Sequence, residues 1–341
     1  MKLLIPLLLL SFHLSAADTT FFKADHPYIQ YTGRIDFTDP ATPRFWQPGV
    51  YIKLKFKGSH CTILMDDDTH NYLAVQVDNL PAKRFQTTGK HNMINITDHL
   101  DNGDHVLTIC KNTEAGIGYL QFIGVKCQAL LPLPAKPVRK IEFIGNSVTC
   151  GSGADQSLFP CGQGQWFDQH NAWMSYGPLT ARALKAQWQL ASVSGIGLIH
   201  SCCGMPFPMT QVYDKINMRT DSIKWDFSKY QPDVVAVCLG ENDGIQDSVI
   251  FCNAYKQFIN TIKQHYPKVT IICLSSPMAD QQFKPVLERY ITAIIKNNKN
   301  VYHYFFTKQY GLGCGGHPDL QEHKQIATDL TNYIKKIKKW G

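Results

Sequence analysis

The stretch Lys140-Ile-Glu-Phe-Ile-Gly-Asn-Ser-Val-Thr-Cys-Gly-Ser-Gly153 decides how the second half of the chain is organised. Its first residues are mostly apolar and partly β-branched, which is typical of a buried strand. The glycines that follow allow the positive φ values and close backbone approaches of a tight turn. Ser147 therefore stands where a buried strand ends, with its hydroxyl presented at the edge of a sheet. A serine there can also simply cap the next helix, so the downstream sequence has to decide between the two roles.

Strands and helices alternate after this turn. Further strands are predicted at Gln189–Val193, Asp233–Leu239, Val269–Leu274 and Val301–Phe305, and helices at Ser175–Gln187, Asn253–His265 and Phe283–Lys296. This alternation predicts a mostly parallel sheet with helices on both faces. Ligands of such sheets bind at the carboxyl ends of the strands. Ser147, Gly195, Asn242 and the loop around His317 all fall at that edge.

These four positions together match the needs of a serine hydrolase. His317 lies in a glycine-rich loop that opens into a helix, and it can deprotonate Ser147. The amide N–H of Gly195 and the side-chain amide of Asn242 can donate to a developing oxyanion. Taken singly, Gly195 is more often a turn, Asn242 a helix cap and His317 a surface residue. Their order along the chain and their placement at strand ends favour an enzyme.

The region before residue 130 has a different pattern. Short alternating or β-branched runs are separated by turn residues, at Val50–Phe56, Cys61–Met65, Tyr72–Val77, His105–Ile109 and Gly118–Val125. This pattern predicts an antiparallel β-sandwich, of jelly-roll type, over residues 18–130. Such a domain can bind carbohydrate or only pack against its neighbour. Three prolines within Leu131–Pro137 predict a stiff linker over residues 131–138, which leaves residues 139–341 for the α/β domain.

Residues 1–17 are predicted to be a secretory signal peptide. A single lysine and the apolar run Leu3–Leu10 precede the small residues Ser15, Ala16 and Ala17, as before a cleavage site. The apolar run is too short to span a hydrocarbon core of about 30 Å. We therefore expect a secreted or periplasmic protein without a membrane span.

Charge and cysteine content narrow the function classes. The chain has 34 Lys and Arg against 27 Asp and Glu, a formal charge of +7. The basic residues are scattered and form no stripe with interleaved aromatics, so we expect no nucleic-acid binding. The eleven cysteines suit an oxidising compartment, and their odd number leaves at least one unpaired or joined to another chain. Because there is no Cys-x-x-Cys pair, we expect disulfides and buried thiols rather than a zinc site.

The sequence resembles the SGNH (GDSL-type) hydrolases. Ser147, Gly195, Asn242 and His317 occur in the order of that superfamily's four blocks, with Gly145-Asn-Ser147 where it usually has Gly-Asp-Ser. The fuller resemblance is to carbohydrate esterase family 2, acetyl esterases in which a small jelly roll precedes an SGNH domain with a flavodoxin-like sheet. The segments that carry it are Gly33–Pro40, Arg44-Phe45, Phe143–Gly153, Tyr176–Leu184 and Gly313–Pro318.

The resemblance implies a carbohydrate O-acetyl esterase that works through an acyl-enzyme on Ser147. His317 would act as base and then as acid, and the amides of Ser147 and Gly195 with the side chain of Asn242 would hold the oxyanion. It implies no metal or organic cofactor. The expected partner is an acetylated carbohydrate, and we expect a monomer rather than an oligomer.

Two other function classes stay open. One is a lipase- or phospholipase-like enzyme of the same superfamily for longer acyl esters, for which Leu198-Ile199 and Met205–Met209 could supply an apolar surface. The other is a non-catalytic carbohydrate-binding protein on a degenerate esterase scaffold. Turnover of acetyl sugars and of longer acyl esters separates these classes.

The residues before His317 depart from the family's pattern. Cys314 stands where most SGNH enzymes have an aspartate, and Gly315 stands at the other position where family members carry an acid. We therefore predict a Ser147–His317 dyad without the usual aspartate, since some similar members let a backbone carbonyl orient the ring. Asp319 is an alternative orienter of the histidine, although an acid directly after Pro318 favours a helix cap.

A second departure concerns the sugar. Gly316 stands where related sequences carry an aromatic residue that can pack against the substrate. Trp166, Phe167 and Trp173, in the long loop after the nucleophile, are candidates for a replacement stacking surface. Equally, aromatic residues in such a loop can belong to the core.

Overall fold

The computed structural model of the protein describes residues 19–97, 100–220 and 222–341. The predicted signal peptide, residues 1–17, lies outside the described residues. Within those described ranges, no helix combines the length and the apolar character needed to cross a membrane.

The N-terminal part is an antiparallel β-sandwich, as the alternating pattern predicted. Its strands are β1 (Thr20–Lys23), β2 (Gln30–Thr32), β3 (Arg44–Phe45), β4 (Tyr51–Asp67), β5 (Tyr72–Val77), β6 (Lys83–Gln86), β7 (Asn92–Ile96), β8 (Asp104–Lys111) and β9 (Leu120–Leu131). They pair in the order β1-β9-β4-β8-β5-β6, with β2 and β7 also on β4 and β3 on β9. A short 3-10 turn, Ala115–Ile117, precedes β9.

Strand β4 connects the layers of this domain. Two strands were predicted here, at Val50–Phe56 and Cys61–Met65, but one strand of 17 residues runs through both. Its pairing with β9 shifts register between Lys57 and Cys61, which lets a continuous strand bend. Because its first half pairs with β8 and its second half with β7, the sheet folds over a single apolar core.

The C-terminal part is built from parallel strands and helices. Its strands are β10 (Lys140–Gly145), β11 (Gln187–Ser192), β12 (Val234–Cys238), β13 (Thr270–Leu274) and β14 (Val301–Tyr304). Its helices are α1 (Ser147–Cys150), α2 (Tyr176–Ala183), α3 (Met209–Val212), α4 (Ser248–His265), α5 (Phe283–Ile295) and α6 (Leu320–Lys338). Short 3-10 turns lie at Ala172–Met174, Phe227–Lys229 and Cys314–Gly316. The strands are parallel in the order β11-β10-β12-β13-β14, which is the flavodoxin-like order.

Helices cover both faces of this sheet. Successive strand residues point to opposite faces, so Phe143 belongs to the core under α2 and α6, whereas Ile144 belongs to the core under α4 and α5. The first of these cores also takes in Tyr51 and Cys110 from the β-sandwich. The two parts of the chain therefore share a continuous apolar interior.

A buried ion pair fixes the β-sandwich to the strand that leads to Ser147. Arg34 and Glu142, both fully buried, approach to 3.0 Å between Nη2 and Oε1. The Arg34 guanidinium also donates to the backbone carbonyls of Tyr213 and Lys215. Removing one partner of such a pair leaves an uncompensated charge, which typically costs about 3–5 kcal/mol. Glu142 lies in β10, so this contact positions the strand that ends two residues before Ser147.

Candidate active site

The turn after β10 presents Ser147 as the first residue of the short helix α1. Glycine is required just before it, because a Cβ at Gly145 would lie 2.1 Å from Thr149 Oγ1. Asn146, where the superfamily usually has aspartate, caps α1 by accepting a hydrogen bond from the N–H of Val148 at 3.3 Å. The charge of an aspartate is not needed for that bond.

Ser147 and His317 are brought into direct contact. His317 Nε2 lies 2.8 Å from Ser147 Oγ, and His317 Nδ1 lies 2.9 Å from the backbone carbonyl of Cys314. A carbonyl only accepts hydrogen bonds, so Nδ1 carries the proton and Nε2 offers its lone pair to the serine hydroxyl. Burial lowers the pKa of His317 below its usual 6.5. The ring is therefore neutral at pH 7, the form that can accept a proton.

Asp319, the alternative orienter, is placed elsewhere. Its side chain accepts a hydrogen bond from the N–H of Glu322 at 2.8 Å, and the Glu322 carboxylate in turn accepts from the N–H of Asp319. This reciprocal pair is a capping box at the start of α6. Of the two roles considered for Asp319, the structure therefore shows the favoured one, the helix cap, and the group that meets the ring is the carbonyl of Cys314.

Gly195 and Asn242 line the same cleft as Ser147 and His317. Gly195 follows β11 with a φ of 82°, a conformation that favours glycine. Asn242 follows β12 and donates one hydrogen bond from Nδ2 to the carbonyl of Ile196 at 2.9 Å. An amide nitrogen carries two hydrogens, so a second donor is left for a ligand. The two positions place a backbone and a side-chain donor in the same cleft as the serine.

Asp243 was given no role from the sequence, yet it joins the two loops that carry these donors. Its carboxylate accepts hydrogen bonds from the N–H groups of Leu198, Ile199 and His200, at 2.7, 2.8 and 3.0 Å. Burial raises the pKa of this carboxyl, while the three N–H donors favour its ionised form. The acidic residue directly after Asn242 was the only signal in the sequence for this contact.

Glu114 was also missed, and it comes from the other domain. Its Oε2 accepts a hydrogen bond from the N–H of Ser194 at 2.6 Å. Ser194 Oγ in turn lies 2.8 Å from Ser152 Oγ, in the turn that follows the nucleophile. The β-sandwich therefore helps to hold the residue beside Gly195. No local pattern in the sequence connects a glutamate in a turn of one domain to a loop of the other.

The cleft has a volume of about 940 Å³ and is open to solvent. Trp166 lies in its wall, with 56% of its surface exposed and its ring edge-on to His170 at 4.7 Å between centroids. Trp173 is only 6% exposed and packs under the Arg182 guanidinium, 3.9 Å from its ring centroid. The prediction that Trp173 contacts substrate is therefore wrong: Trp173 belongs to the core beneath α2.

One wall of the cleft is apolar and carries a disulfide. Met205 and Phe207 are half-buried there, next to a disulfide between the adjacent residues Cys202 and Cys203. A second disulfide joins Cys161 to Cys314. The other cysteines, all within the described residues, are buried free thiols. Across the described ranges, no group of three or more His, Cys, Asp or Glu side chains is placed to hold a metal ion.

Two family models match the chain. The model described as Carbohydrate esterase 2 N-terminal matches residues 31–137, and the GDSL-like Lipase/Acylhydrolase family model matches residues 143–305. Together they cover most of the β-sandwich and most of the sheet that carries Ser147, Gly195 and Asn242. His317 lies beyond the second match, so the evidence that it lies beside Ser147 is the contact in the structure.

Similar proteins are carbohydrate esterases. The chain is 30% identical to an acetylxylan esterase / glucomannan deacetylase from Cellvibrio japonicus over 100% of both chains. It is 32% identical to the cellulase/esterase CelE of Acetivibrio thermocellus over 95% of this chain, but it spans only 41% of that protein's length. The structure of a family two carbohydrate esterase from Clostridium thermocellum, in complex with cellohexaose, superimposes with a TM-score of 0.85 at 31% identity, covering 92% of this chain and 100% of that one.

Proposed function

The chain belongs to carbohydrate esterase family 2, a family of carboxylic ester hydrolases, and we propose that it removes O-linked acetyl groups from carbohydrates through an acyl-enzyme on Ser147. The observation that carries this proposal is the 2.8 Å contact between Ser147 Oγ and His317 Nε2 at the base of an open cleft. A neutral histidine whose other nitrogen is already bonded is suited to take the serine proton.

The first half of the reaction uses His317 twice. As Ser147 Oγ bonds to the ester carbonyl carbon, its proton passes to His317 Nε2, and the carbonyl of Cys314 holds the Nδ1 proton throughout. His317 then gives the new proton to the departing sugar oxygen, and the C–O bond breaks to leave an acetyl-serine. In the second half a water molecule repeats the sequence and releases acetate.

The negative charge that develops on the carbonyl oxygen is received by three donors in this proposal. They are the backbone N–H groups of Ser147 and Gly195 and the free hydrogen of Asn242 Nδ2. A preorganised donor of this kind lowers the barrier by about 3 kcal/mol. Glu114 and Asp243 contribute indirectly, because they fix the backbone on either side of Gly195.

The carbohydrate is proposed to lie against Trp166. An exposed indole ring offers a flat apolar face to a sugar, and the position before His317 is open, since a Cβ at Gly316 would meet nothing within 4 Å. The related Cellvibrio protein is named for acetylxylan and glucomannan, and the related Clostridium structure holds cellohexaose. We therefore propose an acetylated plant-type polysaccharide, or its oligosaccharides, as substrate.

The apolar wall at Met205 and Phe207 favours a second candidate, an esterase for longer acyl chains. Both side chains line the cleft and are only half-buried. An acetyl group needs little apolar surface, whereas a longer chain gains about 0.8 kcal/mol for each CH₂ that it buries. Comparing 4-nitrophenyl acetate with the butyrate and octanoate esters decides between the two, because an acetyl esterase loses kcat/KM steeply as the chain lengthens.

Ser147→Ala tests the proposal directly. We expect it to abolish release of acetate from acetylated xylo-oligosaccharides and from 4-nitrophenyl acetate while the circular dichroism spectrum and Tm stay unchanged. Ser248→Ala, at an exposed position where α4 begins, is the matched control and should keep full activity. Undiminished turnover by Ser147→Ala would rule out the nucleophile, and binding of acetylated sugars without any turnover by the wild type would leave only a carbohydrate-binding protein.

A further inference from the structure

We infer that the Cys161–Cys314 disulfide is a positioning element for His317, and that it stands in for the missing acid by fixing the carbonyl that holds the ring. This inference rests on the proposed pairing of Ser147 with His317. Cys314 occupies the position at which most SGNH enzymes carry an aspartate. Its side chain is tied to Cys161, so its backbone oxygen meets Nδ1 instead.

Cys314 is held at three points. Its N–H donates to the carbonyl of Gly153 at 2.8 Å, its Sγ is bonded to Cys161, and its oxygen accepts from His317 Nδ1 at 2.9 Å. Gly153 and Cys161 both belong to the segment that follows the nucleophile. The disulfide therefore ties the loop that carries the histidine to the segment that begins at Ser147. The two bonded cysteines are 153 residues apart in the sequence.

The histidine loop needs such a tie because of its composition. Four of the six residues from Gly311 to Gly316 are glycines, and Gly315 and Gly316 have φ values of 63° and 73°. Glycine loses more conformational freedom on ordering than any other residue. Without a covalent anchor the carbonyl of Cys314 would sample several positions. A displacement of about 1 Å in a reacting group can lower the rate by about 100-fold.

A neutral carbonyl also depends more on placement than a carboxylate does. A carboxylate attracts the developing imidazolium from any nearby position, whereas a single carbonyl acts through one directional hydrogen bond. The ring of His317 is close to Gly315 as well, since a Cβ there would lie 3.5 Å from Nδ1. The turn Cys314–Gly316 therefore wraps the ring, and the disulfide fixes the turn.

Cys161→Ser tests the inference with little other disturbance, because Cys161 is exposed and Cys314 itself is not substituted. We expect kcat for 4-nitrophenyl acetate to fall by about 10- to 100-fold with KM changed by less than about 3-fold. The rate at which a fluorophosphonate labels Ser147 should fall by the same factor, since that reaction also requires His317 to accept the proton of Ser147. Ile291→Ala, which removes buried apolar volume in α5, is the control for stability alone and should lower Tm with kcat unchanged below Tm.

A rescue variant separates positioning from simple stabilisation. Cys161→Ser/Cys314→Asp restores an acid three residues before the histidine, and we expect it to recover at least about 10-fold in kcat over Cys161→Ser without restoring Tm. If Cys161→Ser keeps wild-type kcat and loses only Tm, the disulfide serves stability and the inference is wrong.

Reduction of the folded wild type covers the case in which Cys161→Ser does not fold. Dithiothreitol, itself oxidised to its cyclic disulfide, should lower wild-type kcat once mass spectrometry shows free thiols at Cys161 and Cys314. Full activity of that reduced form would overturn the inference. Where Cys161→Ser does fold, its response to the same treatment isolates any effect of the Cys202–Cys203 disulfide. Turnover by Ser147→Ala, in contrast, would overturn the proposed pair itself, so the two failures are distinguishable.

Discussion

The nucleophile turn, Gly145–Gly151, and the histidine loop, Gly311–Pro318, meet at one hydrogen bond but are held by different means. The nucleophile turn follows the interior strand β10, which has β11 and β12 on either side. Within the described residues, the histidine loop does not directly follow a strand. It is held by the carboxylate of Glu322, which accepts from the N–H groups of Gly311 and Leu312, and by the disulfide at Cys314.

This difference explains why the residues around the serine are restricted, whereas the group that orients the histidine can vary. A serine at the end of a buried strand is positioned by the whole sheet, so the residues around it are restricted, as the 2.1 Å approach at Gly145 shows. A histidine in a loop is positioned by a few contacts, and a different set of contacts can achieve the same placement. The usual aspartate can therefore be absent here while the ring still points at the serine.

Asn242, like Ser147, follows a strand of the sheet, and Asn242→Ala is the strongest test of the residues that are positioned in this way. Loss of one oxyanion donor should lower kcat by about 100- to 1,000-fold, with a small effect on KM, because the donor acts mainly on the charge of the transition state. Steady-state kinetics with 4-nitrophenyl acetate measure it. Asn253→Ala, exposed on α4, is the matched control. A loss below about 3-fold would remove Asn242 from the catalytic group.

The pH dependence of kcat/KM tests how the histidine loop holds His317. His317 has to be neutral to accept the serine proton, and burial lowers its pKa below 6.5. The acid limb of kcat/KM should therefore have its midpoint below pH 6.5, so that the enzyme is more than half active at that pH. The profile between about pH 4.5 and 8 measures this. A midpoint above pH 6.5 would mean that the ring is stabilised as imidazolium, as a carboxylate partner would do, and would contradict a carbonyl as its sole orienter.

The same comparison shows what the sequence could predict. The parallel sheet and its helices follow from local periodicity, and Ser147, Gly195 and Asn242 could be placed because strands end at them. Boundaries were less certain: α4 begins at Ser248 rather than Asn253, because Asp247 caps it while Val249 and Ile250 are exposed and hide the apolar period.

The residues that could not be predicted act over long sequence distances. Glu114 reaches from the β-sandwich to Ser194, and Cys161 bonds to Cys314, contacts that only the folded chain brings together. The role of Trp173 could not be predicted for a related reason. The sequence pattern of an aromatic residue in a loop is the same whether the side chain faces a cleft or, as here, the core. The placement of His317 against Ser147 was predicted, whereas the covalent tie that supports it was not.

Asp319→Ala should have the smallest effect, because Asp319 contacts the histidine loop only through the start of α6. Losing the N-cap and its half of the capping box should lower the free energy of unfolding by about 1 kcal/mol, measured by urea denaturation, with kcat changed by less than about 2-fold. Asp319→Ser keeps a good N-cap and should retain most of that stability. If Asp319→Ala instead lost activity by several orders of magnitude while staying folded, an acid after the histidine would be orienting it. The carbonyl of Cys314 would then be secondary, and the histidine loop would depend on a charge just as the loops of acid-containing relatives do.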